Sequence, residues 1–206
     1  MRGFDAKGWL GLLLGAMLLG AAAPAAAQSF ASDGYNFIKA VKDRDGAKAQ
    51  ALLEKPGSTV ISARDDSTGE TALHIATKRR DGTWMRYLMG KGADLNARDE
   101  QGRTPLADAA LIGYTDGAQL LIDYGAAVDL ADNRGETPLT LAVQGHDLAT
   151  VRALVKAGAD PKITDNVTGM SALDYARRDP RSKQILQILE TAKPTVHRQI
   201  AGPSPQ

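Results

Sequence analysis

Two apolar patterns alternate along this chain. The first is a pair spaced i, i+3: Leu73/Ala76, Leu106/Ala109, Leu139/Ala142 and Leu173/Ala176. The second is a triplet spaced i, i+3, i+4: Met85/Leu88/Met89, Ala118/Leu121/Ile122, Val151/Leu154/Val155 and Ile185/Ile188/Leu189. Either spacing lines its residues along one stripe of a helix. Each pair predicts a short helix whose small alanine, one turn on, lets a neighbour approach closely. Each triplet predicts a second helix behind it. The triplets start 33, 33 and 34 residues apart, at Met85, Ala118, Val151 and Ile185. No helix pair could bury its own stripe, so the pattern predicts stacked units sharing one continuous core.

The punctuation repeats with the same period. Gly69-Glu70-Thr71-Ala72-Leu73, Gly102-Arg103-Thr104-Pro105-Leu106, Gly135-Glu136-Thr137-Pro138-Leu139 and Gly169-Met170-Ser171-Ala172-Leu173 each open a unit. The hydroxyls of Thr71, Thr104, Thr137 and Ser171 suit a helix N-cap. Pro105 and Pro138 follow at the position where a missing N–H costs nothing. Gly92, Gly125 and Gly158 come just after the second helices, where a left-handed turn ends a helix.

These residues resemble the ankyrin repeat, whose pattern Gly-x-Thr-Pro-Leu-His-x-Ala, second helix, Gly-Ala-Asp is matched best by Gly69–Asp94 and Gly135–Asp160. The resemblance spans about residues 33–192. It implies an all-α solenoid of about five helix–turn–helix units joined by β-hairpin loops. The units are 33–68, a degenerate N-terminal cap, then 69–101, 102–134, 135–168 and a C-terminal cap at 169–192. In the first, Tyr35–Val41 reads as a helix, Asp43-Arg44-Asp45-Gly46 as a turn, and Ala49, Leu52 and Leu53 as the second stripe, stopped by Pro56-Gly57. Residues 28–32 read as a linker. The tail 193–206 has three prolines and no apolar period, and is expected to be disordered.

Three departures from the pattern stand out. Arg79-Arg80-Asp81-Gly82 fills an inter-helix turn where the family usually has Gly-His. Asp108 occupies the place of Ile75, Leu141 and Tyr175. Gly117 lies inside a second helix, at a cost of up to ~1 kcal/mol against alanine. The connection from Gly57 to Gly69 is also longer than the later ones, which marks it, or the second repeat, as a candidate soft joint.

Composition narrows the function. Formal net charge is +1, which argues against a dedicated nucleic-acid binder. No cysteine is present, which removes thiol chemistry and Cys-type metal sites. The N-terminus points to export. Arg2 and Lys7 precede an uncharged run, Trp9–Ala27, that ends in Ala25-Ala26-Ala27-Gln28. This is the layout of a secretory signal peptide over residues 1–27, cleaved between Ala27 and Gln28. The location is then periplasmic or secreted, with only transient membrane contact. Its rival is an inner-membrane anchor made by residues 9–27. Cleavage would remove Arg2, Asp5 and Lys7 and leave the charge formally balanced.

No catalytic fingerprint is visible, and no cofactor or metal is expected. His74 falls on the family's structural histidine. His146 belongs to an inter-helix turn, and His197 to the tail. Asp65-Asp66, Asp94 and Asp99 read as turn formers. Arg79 and Arg80 with Lys78, and Arg177 with Arg178, make two basic spots flanking an apolar middle of Leu111, Ile112 and Tyr114. Arginine and tyrosine are enriched in interface hot spots. The candidate partner-binding residues are therefore Lys78, Arg79, Asp108, Leu111, Ile112, Tyr114, His146, Arg177 and Arg178. The resemblance implies that a partner protein lies along the concave first-helix face and the tips 96–101, 130–134 and 162–166.

The leading reading is an exported, non-catalytic protein-binding module. A narrower alternative is an immunity or chaperone protein for one exported enzyme. A third is a hydrolase in which Asp108, His146 and Tyr114 converge. Mass spectrometry of the chain recovered from the periplasm of a Gram-negative host is expected to find Gln28 first. An intact Met1 would instead support the anchor.

Overall fold

The computed structural model describes residues 25–192, with side chains from 33 onward. The expected signal segment up to Pro24 and the tail from Lys193 lie outside the described residues. Among the described residues ten α-helices follow in order: α1 (Ala25–Asp43), α2 (Gly46–Leu53), α3 (Ala72–Lys78), α4 (Gly82–Gly90), α5 (Pro105–Leu111), α6 (Thr115–Asp123), α7 (Pro138–Gln144), α8 (Leu148–Lys156), α9 (Ala172–Arg178) and α10 (Lys183–Thr191). The first helices stack in the order α1, α3, α5, α7, α9, and α4, α6, α8 and α10 form a second layer behind them. One core runs through the stack, from Phe37 through Leu73, Leu106 and Leu139 to Leu189.

The caps form as the repeat dictates. The hydroxyls of Thr104, Thr137 and Ser171 each accept the N–H of the third helical residue at 3.2 Å. The inter-helix turns are capped by Asp45, Asp81 and Asp147, which accept N–H groups of the second helices. Gly92, Gly125 and Gly158 take φ of 86°, 92° and 92° as they leave those helices. Gly117 has a local reason: an added Cβ would lie 2.2 Å from the Tyr114 ring, which occupies that space.

One expectation changes. Residues 28–32, read as a linker, lie within α1, and so does the expected Ala27–Gln28 cleavage point. The connecting loops are hairpin turns too short for strands. Among the described residues, the bridges are isolated ones, Arg64 with Thr71 and Thr164 with Ser171. The long 57–69 connection is anchored by a 3₁₀ turn, Val60–Ser62, with Val60 buried against the first unit.

The hairpins stack on one another through backbone bonds. Glu100 N–H donates to Thr68 C=O at 3.0 Å, Asn133 N–H to Gln101 C=O at 2.9 Å, and Asn166 N–H to Arg134 C=O at 2.7 Å. Each acceptor immediately precedes the first glycine of a unit. The donor nitrogen of the next hairpin therefore lies directly over that glycine. A Cβ on Gly69, Gly102 or Gly135 would fall 2.9, 2.8 or 2.7 Å from it. These glycines also have φ of 68°, 76° and 81°. Gly169 has the same φ, +68°, but no atom within 4 Å of an added Cβ, because no described hairpin follows.

The two demands on this glycine can be separated. Gly169→Ala is expected to cost about 1–2 kcal/mol, the conformational term alone. Gly135→Ala adds a backbone clash and should cost clearly more. Urea unfolding of both variants checks the order; equal costs would show that the stacking contact does not constrain the position.

Candidate functional site

Two columns of residues face each other along the stack. One is the hairpin base, just after each first glycine: Glu70, Arg103, Glu136 and Met170. The other is the last turn of each first helix: Lys78, Leu111, Gln144 and Arg178. In three units the columns are tied within the unit. Lys78 Nζ pairs with Glu70, Gln144 Nε2 donates to Glu136 at 2.8 Å, and Arg178 Nη1 donates to Met170 Sδ at 3.0 Å.

The second unit breaks the rule. Leu111 is 45% exposed, and Arg103 turns inward. Arg103 Nε lies 3.7 Å from Asp99 and 3.8 Å from Asp108, while Lys78 Nζ lies 3.5 Å from Asp108 and 3.9 Å from Asp99. Two cations thus serve three carboxylates, Glu70 included. The pairs to Asp108 are loose: neither of its buried oxygens has a hydrogen-bond partner, nor do Asp99 Oδ2 and Arg103 Nε. Asp99 Oδ1 is occupied, accepting Arg103 N–H at 2.8 Å.

Burial raises the Asp108 pKa to about 7, and Lys78 and Arg103 only partly oppose this. Burial also works against the charge on Lys78, but Glu70 and Asp108 outweigh it and raise the pKa. His74, fully buried beside this cluster, accepts Thr71 N–H at Nδ1 (3.2 Å) and donates from Nε2 to Arg103 C=O (3.0 Å). Burial holds its pKa below the ordinary histidine value. Its role is to cap α3 and tie that helix to the next hairpin.

The remaining candidate residues separate into other places. Arg79 donates to the carbonyls of Val41 and Lys42 and so caps α1. Its contribution is to join the first two units. Arg80 reaches the Ile112 carbonyl and lies 5.8 Å over the Tyr114 ring, which joins the next two. Arg80 and His146 have φ of 57° and 56° at the place where Gly113 has 62°, so the inter-helix turn is left-handed in all three units. His146 Nε2 bonds Asp179 of the last unit. Arg181, then His146, keep the Asp179 carboxyl below its ordinary pKa. His146 and Arg178 share a cleft of about 450 Å³ with Tyr175 and Pro180. Arg177 pairs loosely with Glu190 at 3.6 Å.

Asp108, His146 and Tyr114 are therefore not assembled into one site. Asp108 faces Lys78 and Arg103, His146 faces Asp179, and Tyr114 lies under Arg80. Asp65, Asp94 and Asp99 accept N–H groups of their own turns, as the sequence implied. Glu70, Asp99 and Arg103 were not among the sequence candidates for the site, although register places Glu70 and Arg103 opposite Lys78 and Leu111.

Stacked helix pairs, glycine-stacked hairpins and hydroxyl-capped first helices define a helical repeat protein built to present a surface. The ankyrin-repeat family model (three copies) matches residues 37–132 and 113–197, and the chain belongs to that family. Relatives include neurogenic locus notch homolog protein 1 of Danio rerio, 38% identical over 113 residues, which is 54% of this chain and 5% of that protein. An ankyrin repeat-containing protein of Treponema pallidum is 30% identical over 143 residues, 69% of this chain and 47% of the relative. Protein PhlB of Serratia liquefaciens is 37% identical over 106 residues, 51% of this chain and 45% of the relative. The chain thus spans less than half the length of each of these relatives.

The raised Asp108 pKa has a definite sign in stability. Between the ordinary carboxylate value and about 7 the folded state holds a proton that the unfolded state has released. Stability from this group is therefore lost as pH rises from about 4 to about 7. Asp108→Asn removes the titration. Its stability advantage over the parent is expected to grow across that window to a few kcal/mol and then level off. Thermal unfolding of both chains at pH 5 and pH 8 checks this; a constant difference would contradict it.

Proposed function

We propose that this chain is an exported, non-catalytic binding module that recognises another protein through its first-helix face and hairpin loops. Ankyrin repeats mediate protein–protein interaction, and that coarse role comes with the family. The observation that carries it to a face of this chain is Leu111. In the polar last-turn column it is the apolar member, 45% exposed, and its unit's hairpin residue is committed to buried carboxylates instead. A partner side chain covering Leu111 would remove apolar surface from water at the middle of the stack. Specific binding needs about 1,000 Å² of buried surface, an area that several stacked units can supply. Export is supported by the basic, apolar and small-residue order of residues 1–27.

Crosslinking in the native compartment, followed by identification of the captured protein, tests the reading. Leu111→Asp is expected to abolish capture with the thermal midpoint unchanged, because Leu111 is exposed and packs little of the core. Undiminished capture by this variant would remove the face from the account.

A further inference from the structure

The charges between the hairpin bases and the first helices are layered by depth. The carboxylates form the floor: the side chains of Asp99 and Asp108 are 0% exposed, Glu136 5% and Glu70 15%. The cations form the surface: Arg103 is 22% exposed, Lys78 31% and Arg134 64%. Arg134 belongs to the same face, since it contacts Glu136 at 3.3 Å, which in turn accepts from Gln144 of the last-turn column. A near-neutral chain thus offers positive groups here to anything that docks. Leu111 lies in the last-turn column with Lys78 and Gln144 to either side of it.

We infer that this face docks an acidic segment of a partner protein, with an apolar side chain on Leu111 and carboxylates against Lys78, Arg103 and Arg134. The inference rests on the binding-module reading and adds the chemistry of the partner. Depth selects it: the four carboxylates of the face are each paired with one of these three cations and lie beneath them, so a basic segment would meet the guanidinium and ammonium heads first, and like-charge contact is strongly unfavourable. Lys78 is held by Glu70, but its pair to Asp108 and both pairs of Arg103 Nε are 3.5 Å or longer, so Arg103 can turn to an incoming carboxylate without giving up a tight side-chain bond to its own. The departure of Asp108 from its apolar column then acquires a reason. It fixes two cations at the centre of the face at some cost in stability.

The test is a selection of random dodecapeptides displayed on phage against the full chain. Enriched peptides are expected to carry two or more acidic residues beside an apolar one. Their synthetic forms should bind about tenfold more weakly to Lys78→Gln/Arg134→Gln. Arg134→Gln alone, at the most exposed of these cations, keeps the test valid if the double variant unfolds. Enrichment without acidic residues, no enrichment, or affinities indifferent to all these changes would overturn the inference. So would equal binding of a DNA duplex, which would assign the face to polyanions at large. If crosslinking captures a partner through Leu111 while the selected peptides are basic, the chemistry proposed here fails and the binding-module reading stands.

Discussion

A glycine at the base of each hairpin lets the next hairpin pass at backbone distance, and the rest of the stack depends on that approach. The N–H of Glu100, Asn133 or Asn166 bonds the carbonyl just before the glycine and lies less than 3 Å from where a Cβ would be. This contact fixes the register between units. Register in turn sets Leu106 against its neighbours on α3 and α7, and lets the long side chains of one unit reach the backbone of the next. Arg79 on the end of α1, Arg80 on Ile112 and His146 on Asp179 are such reaches. Stability in such a stack is a sum of unit and interface terms, and here the interfaces are hydrogen-bonded on the hairpin side and apolar on the helix side.

Against that regular frame the second unit is exceptional. It buries a carboxylate where its siblings bury Ile75 and Leu141, and it exposes Leu111 where they place Lys78 and Gln144. Burying Asp108 among loosely held cations is poor stabilisation, since desolvation outweighs pairing at such distances. The arrangement is economical only as surface design. The anionic floor holds Lys78 and Arg103 in place, and a patch of apolar surface is left beside them.

The helices, caps and turn glycines were legible because they depend on local spacing, which the repeat states four times over. His74 as a capping residue was legible for the same reason. The site was legible in part. Asp108 stood out as a departure from its column, Lys78 as part of a basic spot and Leu111 as part of the apolar middle; Lys78 and Leu111 lie in the same last-turn column, with Asp108 buried beneath Lys78. Arg79 and Tyr114 also looked like surface candidates, but a long side chain at a turn finds the nearest free carbonyl or ring, and which one it finds depends on the neighbouring unit. Gly117 looked like a weak point because helix propensity was the only term visible, whereas the Tyr114 ring decides the position. Glu70, Asp99 and Arg103 were overlooked because their significance comes from facing one another across three hairpin and helix ends.

The central claim is that the first-helix face around Leu111 is the surface this chain offers to another protein. Hydrogen–deuterium exchange of the full chain, alone and with its captured partner, tests it most directly. The account predicts new protection in the last turns of α3, α5 and α7 and in the hairpins around Arg103 and Glu136, with α6 and α8 unchanged. Protection confined to α4, α6 and α8, with the first-helix face exchanging as before, would contradict it.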